Sequence, residues 1–189
     1  MSVPVGVLAL QGDFEAHQKA LARAGADPFP VRTVEELGRA AGLVIPGGES
    51  TTMLKLLRLE SLFEPLREYG GQRPIFGTCA GAILLASEVS HPAQESLALV
   101  DMAVERNAYG RQLDSRVARI AVEEREIEAV FIRAPIIRRL GDGARVLARY
   151  QDDPVLVDFG RHLVATFHPE LTSDDSVHSL FLERVRAWR

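Results

Sequence analysis

Apolar runs and polar breaks alternate along the first half of the chain at the spacing of an α/β protein. Val3 to Leu10 is an apolar run that predicts a first buried strand, broken by Gln11-Gly12-Asp13. Asp13 suits the cap of a helix running to about Ala24, with Phe14 and Leu21 on its apolar face, and Gly25 suits its end. A second strand is predicted around Phe29 to Val31, then a short helix capped by Thr33 and running through Leu37. Leu43-Val44-Ile45 predicts a third strand. Pro46-Gly47-Gly48-Glu49 follows it, and then a helix from Thr52 to about Leu59 capped by Ser50 or Thr51. Pro74-Ile75-Phe76 predicts a fourth strand, which runs into Gly77-Thr78-Cys79-Ala80-Gly81 and an apolar helix. This strand–helix alternation predicts a mostly parallel sheet covered by helices on both faces.

The pattern changes after about Ser87. His91 to Glu95 is polar and turn-like. Leu99 to Val104, Val117 to Val122, Ala129 to Arg133, Val146 to Tyr150, Val155 to Phe159 and His162 to Phe167 are short strand-like runs. Asp152-Asp153-Pro154 and Gly160-Arg161 have the composition of hairpin turns. The second half should therefore add antiparallel strands at one edge. A last helix is predicted from about Asp175 to Trp188, with Val177, Leu180, Phe181 and Val185 on one face. The stripes of the first and last helices read as core faces. No repeat or linker interrupts the chain, so one domain over residues 1–189 is expected.

Composition adds little beyond exclusions. The 189 residues are 47% hydrophobic and 25% charged, with a net charge of −4 that gives no reason to expect nucleic-acid binding. No apolar run reaches the roughly 18–20 residues of a membrane span. The single cysteine excludes an intrachain disulfide and suggests the reducing cytoplasm. No signal peptide is evident, no Gly-Lys-Ser/Thr follows the Gly47-Gly48 pair as a phosphate loop requires, and neither a Cys pair nor His-x-x-x-His suggests a metal.

The candidate chemistry starts at Cys79. A lone cysteine is most often a small, inert hydrophobe. Here glycines stand two residues away on each side, at the strand-to-helix junction, which is the spacing of a nucleophile elbow. A sharp turn there strains the nucleophile's backbone and crowds its neighbours, and glycine removes the clashing Cβ atoms. The helix that follows would aim its first N–H groups back at the sulfur, favouring thiolate. A thiol also needs a base, since a free thiol is only a few per cent thiolate at pH 7. Of His17, His91, His162, His168 and His178, His168 is distinctive. It ends a strand, at the edge where open α/β sheets place their sites, and Glu170 two residues on can accept its ring N–H. His17 and His162 have no evident acid beside them in sequence. Oxyanion donors are expected from the Ala80 amide and from the Gly47-Gly48 loop. Arg106 and Arg133 follow strand-like runs and suit the grip of a carboxylate.

Together these residues resemble the class I, or triad, glutamine amidotransferases, which have a flavodoxin-like three-layer fold. They are similar in particular to the glutaminase subunits of pyridoxal 5'-phosphate synthases. The matching stretches are Leu8 to Gly12, Ile45 to Thr52, Gly77 to Gly81, Val104 to Gln112, Phe131 to Pro135 and Phe167 to Thr172, in family order over nearly the whole chain. Gly-x-Cys-x-Gly with His-Pro-Glu marks triad amidotransferases generally; Glu105 to Gln112 and Phe131 to Pro135 point to the subfamily. One departure is that Ser115 is followed by Arg116-Val117 where the family usually shows Ser-Phe-Glu.

The resemblance implies a Cys79, His168, Glu170 triad that hydrolyses L-glutamine to glutamate and ammonia. Gly47, Gly48, Glu49, Arg106, Ile132 and Arg133 would hold the substrate. No cofactor is implied for this chain. The partner implied is a TIM-barrel synthase subunit in a large hetero-oligomer, which receives the ammonia for vitamin B6 synthesis. Gln11 and Gly12, at the same sheet edge, would form a switch operated by that partner. The competing readings are another cysteine hydrolase or peptidase on the same sheet, and a catalytically silent regulatory subunit.

Overall fold

A computed structural model describes residues 2–107 and 115–188, so the Ala108 to Gln112 part of the subfamily motif lies outside the described residues. Among the described residues the central sheet has seven strands. They are β1 (Val3–Leu8), β2 (Ala26–Val31), β3 (Gly42–Ile45), β4 (Ile75–Thr78), β10 (Arg145–Tyr150), β11 (Asp153–Asp158) and β12 (Leu163–Ala165). The order across the sheet is β10-β11-β12-β4-β3-β1-β2. From β12 through β2 every pairing is parallel, whereas β11 and β10 join by the two antiparallel hairpins that the turn residues predict.

Both faces of this sheet are buried, and the side-chain period of two divides its residues between two cores. Leu43 and Ile45 of β3 and Ile75 of β4 face one core with α2 (Val34–Arg39), α3 (Ser50–Leu59), α4 (Phe63–Gln72) and α5 (Ala80–Leu85). Val44 and Phe76, their neighbours in sequence, face the other core with α1 (Phe14–Arg23) and α6 (Ser176–Ala187). The result is the expected three-layer sandwich with a mostly parallel sheet.

The second half holds more than an antiparallel edge. β5 (Ala86–Ser90), β6 (Val100–Glu105) and β9 (Ile136–Leu140) form a separate three-stranded sheet against the first core. β7 (Ser115–Val122) and β8 (Arg125–Ile132) form a hairpin against the second. The departure at Ser115-Arg116-Val117 lies on β7, where Arg116 donates to the Tyr150 hydroxyl at 2.8 Å.

One local expectation is corrected, and α4, β5 and β9 are elements that the sequence pattern does not predict. α3 starts at Ser50, and its cap is Glu49 rather than Ser50 or Thr51, because the longer carboxylate reaches the amides of both Thr51 and Thr52. α4 gives a weak sequence signal: Pro65, Gly70 and Gly71 lower its helix propensity, and burial of Phe63, Leu66 and Tyr69 stabilises it instead. β5 and β9 are too short and mixed in polarity to stand out. Thr33 caps α2 as predicted, in a reciprocal capping box with Glu36. No helix among the described residues is long and apolar enough to cross a membrane.

Candidate active site

The carboxyl ends of β1, β3, β4 and β12 converge at one edge of the sheet, where a doubly wound fold leaves its crevice. Register fixes what meets there. Ile45 of β3 pairs with Gly77 of β4, so the residues two further on, Gly47 and Cys79, come level. Ala165 of β12 pairs with Thr78, and its carbonyl accepts the Cys79 N–H at 2.9 Å. His168 follows three residues later, its own N–H donated to Val130 of β8 at 2.8 Å.

Cys79 has φ 48° and ψ −103°, a strained conformation for a residue with a side chain. The flanking glycines show why the elbow tolerates it. A methyl group on Gly77 would overlap the Gly81 backbone and the Leu85 side chain, and one on Gly81 would overlap the Ile45 carbonyl. Cys79 is buried, and its sulfur lies 3.8 Å from the Ile132 carbonyl oxygen. α5 has only six residues, so its N-terminus is a weaker aid to the thiolate than a long helix would be.

His168 stands against the sulfur. Its Nδ1 lies 2.7 Å from Glu170 Oε1, a buried oxygen on the short 3₁₀ turn Pro169–Leu171. Burial works against a charged ring. The hydrogen bonds and charges of Cys79 and then Glu170 outweigh it and raise the His168 pKa to about 10. The ring is therefore held as an imidazolium beside the sulfur, with Glu170 fixing its orientation. Gly47 packs onto this pair: a Cβ there would overlap His168 Cε1 and lie 3.3 Å from Cys79 Cβ.

A cleft of about 330 Å³ opens over the sulfur, lined among others by Gln11, Gly48, Glu49, Arg106, Ile132 and Arg133. That size suits an amino-acid ligand. Gln11 Oε1 accepts the Glu49 N–H at 3.0 Å and fills the space beside Gly48, whose φ is +147°. Gly12 abuts the Gly47 carbonyl, where a side chain would collide. Ala80 follows the sulfur directly, at the first position of α5.

The Glu49 side chain is already engaged. Its carboxylate accepts from the Thr51 and Thr52 amides at 3.1 and 2.7 Å and from both hydroxyls, and it faces Arg106 Nη2 at 3.3 Å. Partial burial opposes its charge, but these hydrogen bonds hold its pKa at about 2. Arg106 Nη1 is buried and has no hydrogen-bond partner among the described residues, which suits it to meet an anionic group.

Sequence reading places Cys79, His168, Glu170 and the glycine loop together, and the structure brings them together. Ile83, Asn107 and Pro135 also line the cleft; in the sequence Asn107 and Pro135 stand within the matching stretches without a role of their own, and Ile83 gives no sign. The sequence also leaves His17 without an acid, whereas the fold sets His17 Nε2 3.3 Å from Glu170 Oε2. The contact joins α1 to a turn some 150 residues away, and no local pattern signals it. His162 is structural: its Nδ1 accepts the Ile75 N–H at 3.2 Å. His91 is exposed, as its polar loop predicts. A larger cavity of about 550 Å³ lies between the β7–β8 hairpin and α6, but neither cysteine nor histidine lines it. Among the described residues, no cluster of His, Cys, Asp and Glu is arranged to hold a metal ion.

Comparison with known proteins identifies the family and the fold. Residues 7–187 match the family described as the SNO glutamine amidotransferase family. The chain is 64% identical over 189 residues to the pyridoxal 5'-phosphate synthase subunit PdxT of Solibacter usitatus, covering 96% of this chain and 98% of that protein. It is 53% identical to the PdxT of Koribacter versatilis, covering 96% and 95%. A crystal structure titled glutamine amidotransferase superposes with a TM-score of 0.90 at 48% identity, covering 96% of this chain and 98% of the other. PurLQS from Thermotoga maritima, at 16% identity and a TM-score of 0.69 over 100% of this chain and 97% of the other, shares the fold.

Proposed function

Since this chain belongs to the SNO glutamine amidotransferase family, we propose that it is the glutaminase subunit of a pyridoxal 5'-phosphate synthase, with Cys79, His168 and Glu170 as its triad. The observation that carries this reading is the strained Cys79 with its sulfur against a His168 ring oriented by buried Glu170. The Cys79 thiolate attacks the side-chain carboxamide carbon of glutamine. The carbonyl π electrons move to oxygen, and the amide N–H groups of Ala80 and the Gly47-Gly48 loop stabilise that oxyanion. His168 gives its proton to the departing nitrogen, the C–N bond breaks, and ammonia and a glutamyl thioester result. The neutral imidazole then takes a proton from water, which attacks the thioester; glutamate leaves and the ion pair is restored.

Arg106 Nη1, with Arg133, Ile132 and Gly48 around the cleft, supports binding of the amino-acid end. Glu49 acts through Arg106, by holding it. The chain needs no cofactor for this chemistry. Ammonia released into water would be protonated and lost as a nucleophile, so we place a synthase subunit, of TIM-barrel form, over this edge to receive it. A free cysteine acting as nucleophile supports a reducing compartment, the cytoplasm, for the complex. We further propose that docking of the synthase acts through Gln11 and Gly12, which brace Glu49 and Gly47 in the undocked chain.

Cys79→Ala removes the nucleophile with little change in volume. It should abolish glutamate release in the complex while leaving the melting temperature unchanged. His168→Asn should be nearly as severe, and Glu170→Gln should retain part of the activity, because it only orients the ring. Hydrolysis by folded Cys79→Ala at more than a trace of the normal rate overturns the assignment.

A further inference from the structure

We propose that His17 is a positioning residue of this site, donating its Nε2–H toward the Glu170 oxygen that His168 leaves free, with His178 fixing its tautomer. The proposal rests on the triad reading above and extends it into the core between α1 and α6.

Glu170 is buried, and its two oxygens face different histidines. Oε1 takes His168 Nδ1 at 2.7 Å; Oε2 lies 3.3 Å from His17 Nε2 and has no hydrogen bond of regular geometry among the described residues. Thr78 Oγ1 is 3.2 Å from the same ring nitrogen. On its other side His17 Nδ1 lies 3.0 Å from His178 Nε2. Both histidines are fully buried, and Phe76 packs edge-on against both rings. Burial, with His178 and His168 nearby, keeps His17 neutral, and burial does the same for His178.

Two neutral rings sharing one contact can place their protons in two ways. If His17 carries its proton on Nδ1, its bare Nε2 lone pair faces a buried carboxylate. His178 must then carry its own proton on Nδ1, an atom with no hydrogen-bond partner among the described residues. That arrangement leaves an unpaired buried donor and a repulsive contact. If instead His178 Nε2–H donates to His17 Nδ1, the proton of His17 sits on Nε2, between Thr78 Oγ1 and Glu170 Oε2. Among the described residues, His178 Nδ1 is then a bare acceptor rather than an unpaired donor. The second arrangement gives the carboxylate the donor it otherwise lacks, as a three-centre bond shared with Thr78.

The consequence is a chain from Cys79 through His168, Glu170 and His17 to His178. It holds the carboxylate plane fixed from behind, so that His168 presents Nε2 to the sulfur. By analogy with the outer-shell partners of metal ligands, whose loss typically costs about 10–100-fold, loss of His17 is expected to cost a similar factor.

The direct test is the His17 tautomer, read from two-bond ¹H–¹⁵N correlations in the histidine-labelled protein. Protonated Nε2 and bare Nδ1 are expected, and the opposite tautomer overturns the proposal. This readout needs no turnover, so it stands apart from any failure of the glutaminase assignment. In the complex with its synthase, His17→Leu should lower kcat for glutamine about 10–100-fold with KM unchanged. His17→Gln, whose amide nitrogen reaches the same point, should restore kcat to within about threefold of wild type. Wild-type kcat in folded His17→Leu, or equal losses in both variants, overturns it.

Discussion

Gly47→Ala isolates the closeness of the glycine loop to the catalytic pair. Gly47 has no unusual φ, so alanine adds a steric clash there and little backbone strain. Its Cβ would lie 3.0 Å from His168 Nδ1 and 3.3 Å from Cys79 Cβ, and would overlap His168 Cε1. Cys79 is fixed by the elbow and His168 by Glu170, so relief requires the ring or the loop to move by about 1 Å. A misplacement of that size costs about 10²-fold in rate, which corresponds to about 2.7 kcal/mol of barrier. The assay is glutamate release by the complex with the synthase, with alkylation of Cys79 by iodoacetamide as a substrate-free readout of the His168–sulfur contact. Both rates should fall, while thermal unfolding moves by only a few degrees. Gly71→Ala is the control. Residue 71 lies in α4 with open space around its Cβ position, so alanine there should leave the rate unchanged and stabilise slightly. A kcat for Gly47→Ala within about threefold of wild type would refute the steric reasoning.

Further predictions concern the ligand, the partner and the core. Arg106→Ala and Arg133→Ala should each raise KM for glutamine about tenfold or more with a smaller change in kcat, as expected for a grip equal in ground and transition states; an unchanged KM makes that arginine structural. Gln11→Ala should lose stimulation by the synthase by about 10²–10³-fold if the loop it braces supplies an oxyanion donor, and normal stimulation clears Gln11 of that role. His162 is held near pKa 4 by burial and then by Arg161, below its unfolded value, so it resists protonation in the fold. Its contribution is complete above about pH 6.5 and is lost as pH falls toward 4. His162→Asn keeps an acceptor for the Ile75 N–H and removes the titration, so urea-unfolding stability should fall less between pH 7 and pH 5 than in wild type. An identical fall would exclude His162 as a source of it.

What the sequence determines is whatever is written in local pattern. The alternation of strand and helix runs, the caps at Asp13 and Thr33, and the turns at residues 152–154 and 160–161 all depend on neighbours a few residues apart, and each is legible. The elbow is legible for the same reason, because the strain at Cys79 is relieved by glycines two residues away. His168 and Glu170 are two residues apart, and a resemblance extending over the chain joins them to Cys79. Helix α4 is not legible, because burial in the first core rather than propensity stabilises it. Glu49 as the α3 cap depends on side-chain reach, and its bridge to Arg106 on strands folded over the site. The His17 contact is decided by tertiary structure alone. The parallel order of β1, β3, β4 and β12 brings α1, α6 and the 3₁₀ turn together around Phe76. There, among the described residues, two remote buried histidines meet Thr78 and the oxygen of Glu170 that His168 does not take.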